Sequence, residues 1–126
     1  MVILVVDDDP VSLLLAEHIL SAGGYDVVTA VSADDARATL SDGGVEIDCI
    51  VCDYMMPETN GLDLLEMLND DDNLVCPPFV LLTGVSEADE LNDERVELAS
   101  AYLTKPVKSD ELLAVVADML VVSNDA

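Results

Sequence analysis

Polar residues stand where apolar runs end. Val2-Ile3-Leu4-Val5-Val6 is followed by Asp7 and Asp8, the run 48–52 by Asp53, the run 79–82 by Thr83, and the run 100–103 by Thr104-Lys105. Continuous apolar runs of this length read as strands buried on both faces. In an open parallel sheet, chemistry sits at the carboxyl ends of the strands. Three carboxylates, one hydroxyl and one ammonium therefore converge on one edge. The carboxylates suit a hard cation such as Mg²⁺, which takes oxygen ligands and often bridges carboxylates to a phosphate. Without an ion they repel: two unit charges about 4 Å apart cost roughly 4 kcal/mol at an effective dielectric of 20. The same set suits phosphoryl transfer, which is mostly positioning and charge neutralisation, and a carboxylate nucleophile can form an aspartyl phosphate. Lys105 supplies positive charge for a phosphoryl oxygen, Thr83 supplies a hydrogen-bond donor, and Gly84 leaves room for the donor.

Singly, each of these residues has a plainer explanation. An aspartate after a strand usually caps a helix, and Asp9 before Pro10 fills that role. Asp7 and Asp8 precede the cap, and Asp53 precedes an apolar loop, so capping accounts for none of the three. A lone threonine is strand filler and a lysine before a proline is a solvated loop charge. Their joint placement on one edge is what carries the reading.

The elements that must position them alternate. After strand 2–6, Val11, Leu14, Leu15 and Ile19 recur at helical spacing until Gly23-Gly24. Residues 26–31 read as a strand, and Ser32 caps a helix to about Leu40, ended by Gly43-Gly44. Strand 48–53 leads through the loop Met55-Met56-Pro57 to a helix over 61–69 carrying Leu62, Leu65 and Leu68. Pro77-Pro78 precedes strand 79–83, an acidic helix runs from Ser86 to about Leu98, and strand 100–103 leads to a last helix capped by Ser109 and ending near Val122. Five strand–helix repeats with short loops predict an α/β fold, a doubly wound parallel sheet with helices on both faces. One domain spans 1–126, with its core at 2–122 and a short tail at 123–126.

Composition removes other classes. The chain has 126 residues, 52% hydrophobic, with 27 acidic residues against 4 basic and a formal net charge of −23. This is enough apolar material for a core, whereas disorder needs low hydrophobicity with high charge. The acidity argues against direct nucleic-acid binding, which needs Lys and Arg to displace counterions, and against anionic lipid. Cations and basic protein surfaces fit. No apolar run reaches membrane-spanning length, so no membrane insertion is expected. The start lacks a basic n-region and a cleavage site, so a cytoplasmic location is expected. Such acidic surfaces suit high salt, which shortens the Debye length to about 3 Å at 1 M. A melting temperature that rises across a salt series is the expected sign of it.

At these residues the sequence resembles the receiver domain of response regulators in two-component signalling. The resemblance rests on Leu4-Val5-Val6-Asp7-Asp8-Asp9-Pro10, Asp53-Tyr54-Met55-Met56-Pro57 with Gly61, Thr83-Gly84, and Tyr102-Leu103-Thr104-Lys105-Pro106, in order, and covers about residues 2–122. It implies a flavodoxin-like five-stranded sheet in the order 2-1-3-4-5. It implies that Asp53 is the phosphoacceptor, taking a phosphoryl group from the phosphohistidine of a histidine kinase or histidine phosphotransfer protein. Mg²⁺ would be held by Asp8 directly, Asp7 through water, Asp53 and the backbone carbonyl of Met55. Lys105 and Thr83 would hold phosphoryl oxygens. Thr83 and Tyr102 would form a switch coupling the site to the face of the fourth helix, fifth strand and last helix, where an output partner protein binds. The domain would be no conventional enzyme: it would phosphorylate itself from a phosphodonor. Met55 and Val85 flank the site and cannot position a hydrolytic water, so autodephosphorylation should be slow. The bond before Pro106 is commonly cis in the family.

Alternatives are weaker. A pseudo-receiver, binding protein without phosphorylation, would lack the acceptor, the acidic pair or the lysine, and none is missing. A flavin carrier needs a Ser/Thr/Gly-rich loop and aromatics, but the loop is acidic and aromatics are 3%. An aspartyl phosphatase needs a second aspartate where Met55 stands. Cys49 and Cys52 fit C-x-x-C, yet strand residues three apart face opposite sides, so both read as core; Cys76 reads as a loop or strand-edge residue. The only histidine, His18, reads as a surface residue. The last helix carries Leu112, Leu113, Val115, Val116, Met119, Leu120, Val121 and Val122 and leaves little polar face. Apolar surface beyond one stripe marks an interface, so a homodimer or a partner on that helix is expected.

Overall fold

A computed structural model describes residues 1–42, 44, 46–56, 59–71, 77–84, 99–105 and 107–124. The elements are β1 (Val2–Val6), α1 (Pro10–Ala22), β2 (Asp26–Ala30), α2 (Ala33–Asp42), β3 (Cys49–Asp53), α3 (Gly61–Asp70), β4 (Phe79–Thr83), β5 (Ala101–Thr104) and a C-terminal helix, α4 (Ser109–Asn124). All strand pairs are parallel, in the order β2-β1-β3-β4-β5. The helix expected at 86–98, Val85, Cys76 and the peptide bond to Pro106 lie outside the described residues.

Local chemistry starts and stops the helices where the sequence marks them. Asp9 caps α1, its side chain accepting from the Val11 N–H, with proline at the first helical position. Gly24 follows at φ 94°, a left-handed conformation that favours glycine. The Ser32 hydroxyl accepts from the Asp35 N–H. Asn60 and Asp63 form a reciprocal capping box on α3. The last helix starts on Ser109 itself: the Leu112 N–H donates to the Lys108 carbonyl at 3.0 Å, so the cap expected at Ser109 sits one residue earlier.

Alternate strand residues feed two cores. Leu4, Val6, Ile50, Cys52, Phe79 and Leu81 pack under α2 and α3. Ile3, Val5, Cys49, Val51, Val80 and Leu82 pack under α1 and α4. The two cysteines thus enter opposite cores, as strand alternation requires, and burial pushes the Cys49 thiol up to about 12.

Two expectations about helix faces need correction. On α1, the residues buried against the sheet are Ala16, Ile19 and Leu20, whereas Val11, Leu14 and Leu15 are exposed. On α4, Leu112, Val116 and Leu120 are buried, and Leu113, Val115 and Met119 are partly buried against the same core. Leu113 lies against the end of α1, where a Cβ on Gly23 would collide with its side chain. The surplus apolar surface therefore sits on α1, not among the described side chains of the last helix.

Candidate functional site

Strand register builds the site. Val6 pairs with Ala30 and with Cys52, and Asp53 pairs with Leu82, so Asp7 and Asp53 occupy the next rung beyond a shared one. This is the point where strand order reverses, between β1 and β3, which is where an open α/β sheet leaves a crevice. Backbone hydrogen bonds hold the residues just past the strand ends: Asp7 N–H to the Ala30 carbonyl at 3.1 Å, Tyr54 N–H to Leu82 at 2.8 Å, and Lys105 N–H to Thr83 at 2.6 Å. Gly61 fits here because a Cβ would stand 2.6 Å from the Asp53 carbonyl oxygen and 2.8 Å from the Leu81 side chain. The start of α3 is thereby pressed against the end of β3.

The side chains converge as expected. Asp7 and Asp53 are buried, at 2% and 5% exposure, and Asp8 is exposed. One carboxylate oxygen from each of Asp7, Asp8 and Asp53 lies within 4.8 Å of the others. Lys105 Nζ stands 3.0 Å from Asp53 Oδ1 and 3.4 Å from Asp7 Oδ2. The Asp9 N–H donates to Asp7 Oδ1 at 2.9 Å and fixes that carboxylate. Burial pulls the pKa of Lys105 down, but hydrogen bonding and attraction from Asp53 and Asp7 outweigh it and hold the ammonium above the ordinary lysine range. A hard-cation donor set of three carboxylates fits Mg²⁺ well. Thr83 is fully buried, and among the described residues its Oγ1 has no hydrogen-bond partner. A buried hydroxyl without a partner costs stability unless a ligand can use it, so it stands as a donor in reserve at the end of β4.

The other named residues take separate places. Met55 follows β3 with its side chain exposed, and Tyr102 lies on β5, 58% exposed and outside the cluster. His18 is exposed on α1.

Sequence reasoning missed one part of the edge. A cleft of about 350 Å³ shares Asp7 and Lys105 with the cluster and is lined also by Ser12, Leu15, Ala16, Leu82 and Val107. The signal was present in the near-continuous apolar character of α1, where Val11, Leu13, Leu14, Leu15, Ala16, Ile19 and Leu20 cannot all face one sheet.

Comparisons with known proteins agree with this geometry. The family model described as the response regulator receiver domain matches residues 3–117. The phosphate regulon transcriptional regulatory protein PhoB of Pseudomonas aeruginosa is 34% identical over 113 residues, covering 89% of this chain and 48% of that protein. The two-component response regulator ORR21 of Oryza sativa subsp. japonica is 33% identical over 112 residues, covering 89% of this chain and 16% of that protein. The chain thus spans half or less of the length of these relatives. Among solved structures, the signal receiver domain of a signal transduction histidine kinase from Syntrophus aciditrophicus superposes with a TM-score of 0.83 at 31% identity, covering 96% of this chain and 90% of that one. With its acidic crevice, paired lysine and 2-1-3-4-5 sheet, the chain belongs to the response regulator receiver domain family.

Proposed function

We propose that this receiver takes a phosphoryl group onto Asp53 from the phosphohistidine of a histidine kinase or histidine phosphotransfer protein, in a reaction that depends on Mg²⁺. The observation that carries the reading is the Asp53 carboxylate, buried, 3.0 Å from Lys105 and clustered with Asp7 and Asp8. An Asp53 oxygen bonds to phosphorus as the bond between phosphorus and the donor histidine nitrogen breaks, the electron pair leaving on that ring nitrogen. Lys105 moves from a carboxylate partner to a phosphoryl oxygen, keeping its charge inside the crevice. Thr83 donates its unused hydroxyl hydrogen to a second phosphoryl oxygen. Asp7, Asp8, Asp53 and the Met55 carbonyl would hold Mg²⁺, which when bound supplies neutralisation of the charge that builds on the transferring group.

Signalling follows from Thr83. Its shift toward a phosphoryl oxygen frees space for the exposed Tyr102 ring to turn inward, which alters the surface around β5 and α4 where an output partner binds. The domain acts as a switch on a partner protein, or as a homodimer, in the cytoplasm, rather than as a conventional enzyme. Among the described residues, no helix is long and apolar enough to cross a membrane. The exposed Met55 side chain has no polar group to hold a hydrolytic water, which keeps the acyl phosphate long-lived. A pseudo-receiver finds no support, since the acceptor, the acidic pair and the lysine lie together.

Incubation with Mg²⁺ and acetyl phosphate, followed by intact mass, tests the reading. One added phosphoryl group is expected in the parent and none in Asp53→Asn. An equal adduct in Asp53→Asn, or no adduct in the parent in 1 M salt, would overturn it.

A further inference from the structure

Asn60 and Gly61, at the start of α3, form the one Asn-Gly pair in the chain; the other asparagines precede Asp70, Leu74, Asp93 and Asp125. Asparagine is a chemically labile residue. The backbone nitrogen of the next residue attacks its carboxamide carbon, and glycine, with no side chain, shields that nitrogen least. Both residues are fixed here by other demands. Asn60 supplies the oxygen that caps α3. Gly61 is buried where a Cβ would stand 2.6 Å from the Asp53 carbonyl oxygen and 2.8 Å from the Leu81 side chain.

The fold holds this pair out of reaction. The Asn60 backbone is extended, at φ −79° and ψ 173°, whereas closing a five-membered ring needs the Gly61 nitrogen turned to eclipse Cβ. The Gly61 N–H donates to the Tyr54 carbonyl at 2.9 Å, which keeps its proton in place. The Asn60 carboxamide oxygen accepts from the Asp63 N–H at 2.8 Å, and the Asp63 carboxylate accepts from the Asn60 N–H at 3.0 Å. The Asn60 carbonyl accepts from the Leu64 N–H at 3.1 Å. Turning the pair into the reactive alignment breaks the bonds of the Gly61 N–H, the carboxamide and the Asn60 carbonyl. The first turn of α3 must open for this, while the sheet stays paired.

We propose that Asn60–Gly61 is a self-modification site: a covalent timer that the α3 capping box holds shut and that opening of the first turn of α3 releases. The Gly61 nitrogen bonds to Asn60 Cγ and gives up its proton, and the carboxamide nitrogen takes up a proton and leaves as ammonia. Water then opens the succinimide, and the ring nitrogen regains a proton. Breaking the new Cγ–N bond gives aspartate, which caps a helix as well as asparagine does. Breaking the original peptide bond gives isoaspartate, which routes the main chain through Cβ and adds one backbone atom ahead of Gly61. The tight seat of Gly61 against Asp53 and Leu81 leaves no space for the displaced chain. This product therefore uncaps α3 and lifts its start off the end of β3, beside Asp53. Water is the sole co-reactant, and the inference does not depend on Asp53 being the acceptor.

The test incubates the full chain at mildly alkaline pH in high salt, with and without denaturant, and follows every asparagine by peptide mass mapping. In denaturant, Asn60 should react faster than the other asparagines. The native fold should slow it by more than about tenfold, since several hydrogen bonds must open first. Asp63→Ala, which removes the return half of the capping box, should raise the native rate about three- to tenfold. Leu112→Ala, buried in the opposite core, lowers global stability without touching α3 and should leave the native rate nearly unchanged. Asn60→Ser keeps a capping oxygen but has no carboxamide, and should form no product at residue 60. The isoaspartate fraction separated from aged parent should melt below Asn60→Ser aged alongside it. Equal rates with and without denaturant, a native rate unmoved by Asp63→Ala, or one raised as much by Leu112→Ala would overturn the guarded timer. So would an isoaspartate chain that melts with the unaged parent.

Discussion

On one face of the sheet, α3 buries Leu62, Leu64, Leu65 and Leu68, and α2 adds Ala33 and Ala36. On the other face, α1 buries Ala16, Ile19 and Leu20 in its later turns but leaves Val11 73%, Leu14 66% and Leu15 49% exposed in its first two. The first face is closed over these six side chains, all of them buried. The second is closed only where α4 meets α1, near Gly23 and Leu113, and opens toward Asp7 and Lys105. The difference teaches that the closed face carries stability and the open one carries access. Both helices facing the open side are apolar nearly all round, so only their neighbours decide which residues are covered.

The largest expected effect breaks the closed face. Leu68→Ala, at a fully buried position, should lower unfolding free energy by about 2–5 kcal/mol, read from denaturant melts. That is a large share of a typical stability of about 5–15 kcal/mol. Asp9→Ala removes the cap that anchors α1 on the open side, and should cost about 0.5–2 kcal/mol in the same assay. Leu14→Ser, on the exposed stripe of α1, should change stability by less than about 0.5 kcal/mol. A loss at Leu14 equal to that at Leu68 would show that the open face is covered in solution. The smallest effect is an alkaline one. Lys105 has its pKa raised in the folded state, so its contribution is fully present below the ordinary lysine value of 10.5 and is lost as pH rises through the higher folded value. In Mg²⁺-free buffer, the parent should therefore lose more stability above pH 10.5 than Lys105→Met does.

The site was legible because its residues are strand ends. Asp7, Asp8, Asp53, Thr83 and Lys105 each follow an apolar run, and the period of a buried strand is hard to mistake. Cys49 and Cys52 were legible for the same reason, since alternation alone sends them to opposite cores. The face of α1 was not legible. With Val11, Leu13, Leu14, Leu15, Ala16, Ile19 and Leu20 all apolar, more than one stripe satisfies helical periodicity, and of the residues picked out by spacing, Val11, Leu14, Leu15 and Ile19, only Ile19 is buried. The same all-round composition hides which flank of the last helix is covered: Leu113, Val115 and Met119 are partly buried against the core on the α1 side. Boundaries slipped by one residue at β5 and Ser109, where cap and strand signals overlap with flexible spacing. Ser12 and Val107 gave no sign of lining a cleft, because a cleft is the space left between elements and no single segment records it.

The ion pair between Asp7 and Lys105 joins residues 98 apart in the chain. Asp53 enters from a third strand between them. Strand pairing assembles these groups in steps: β1 beside β3 brings Asp7 to Asp53, and β5 beside β4 adds Lys105. During synthesis, a ribosome must release residue 105 and the sheet must close before the first carboxylate meets its lysine. A nascent or truncated chain therefore lacks the complete lysine–carboxylate cluster, however much helix it has already formed. The cluster is complete only once β1, β3, β4 and β5 have paired, so it reports long-range assembly rather than local structure.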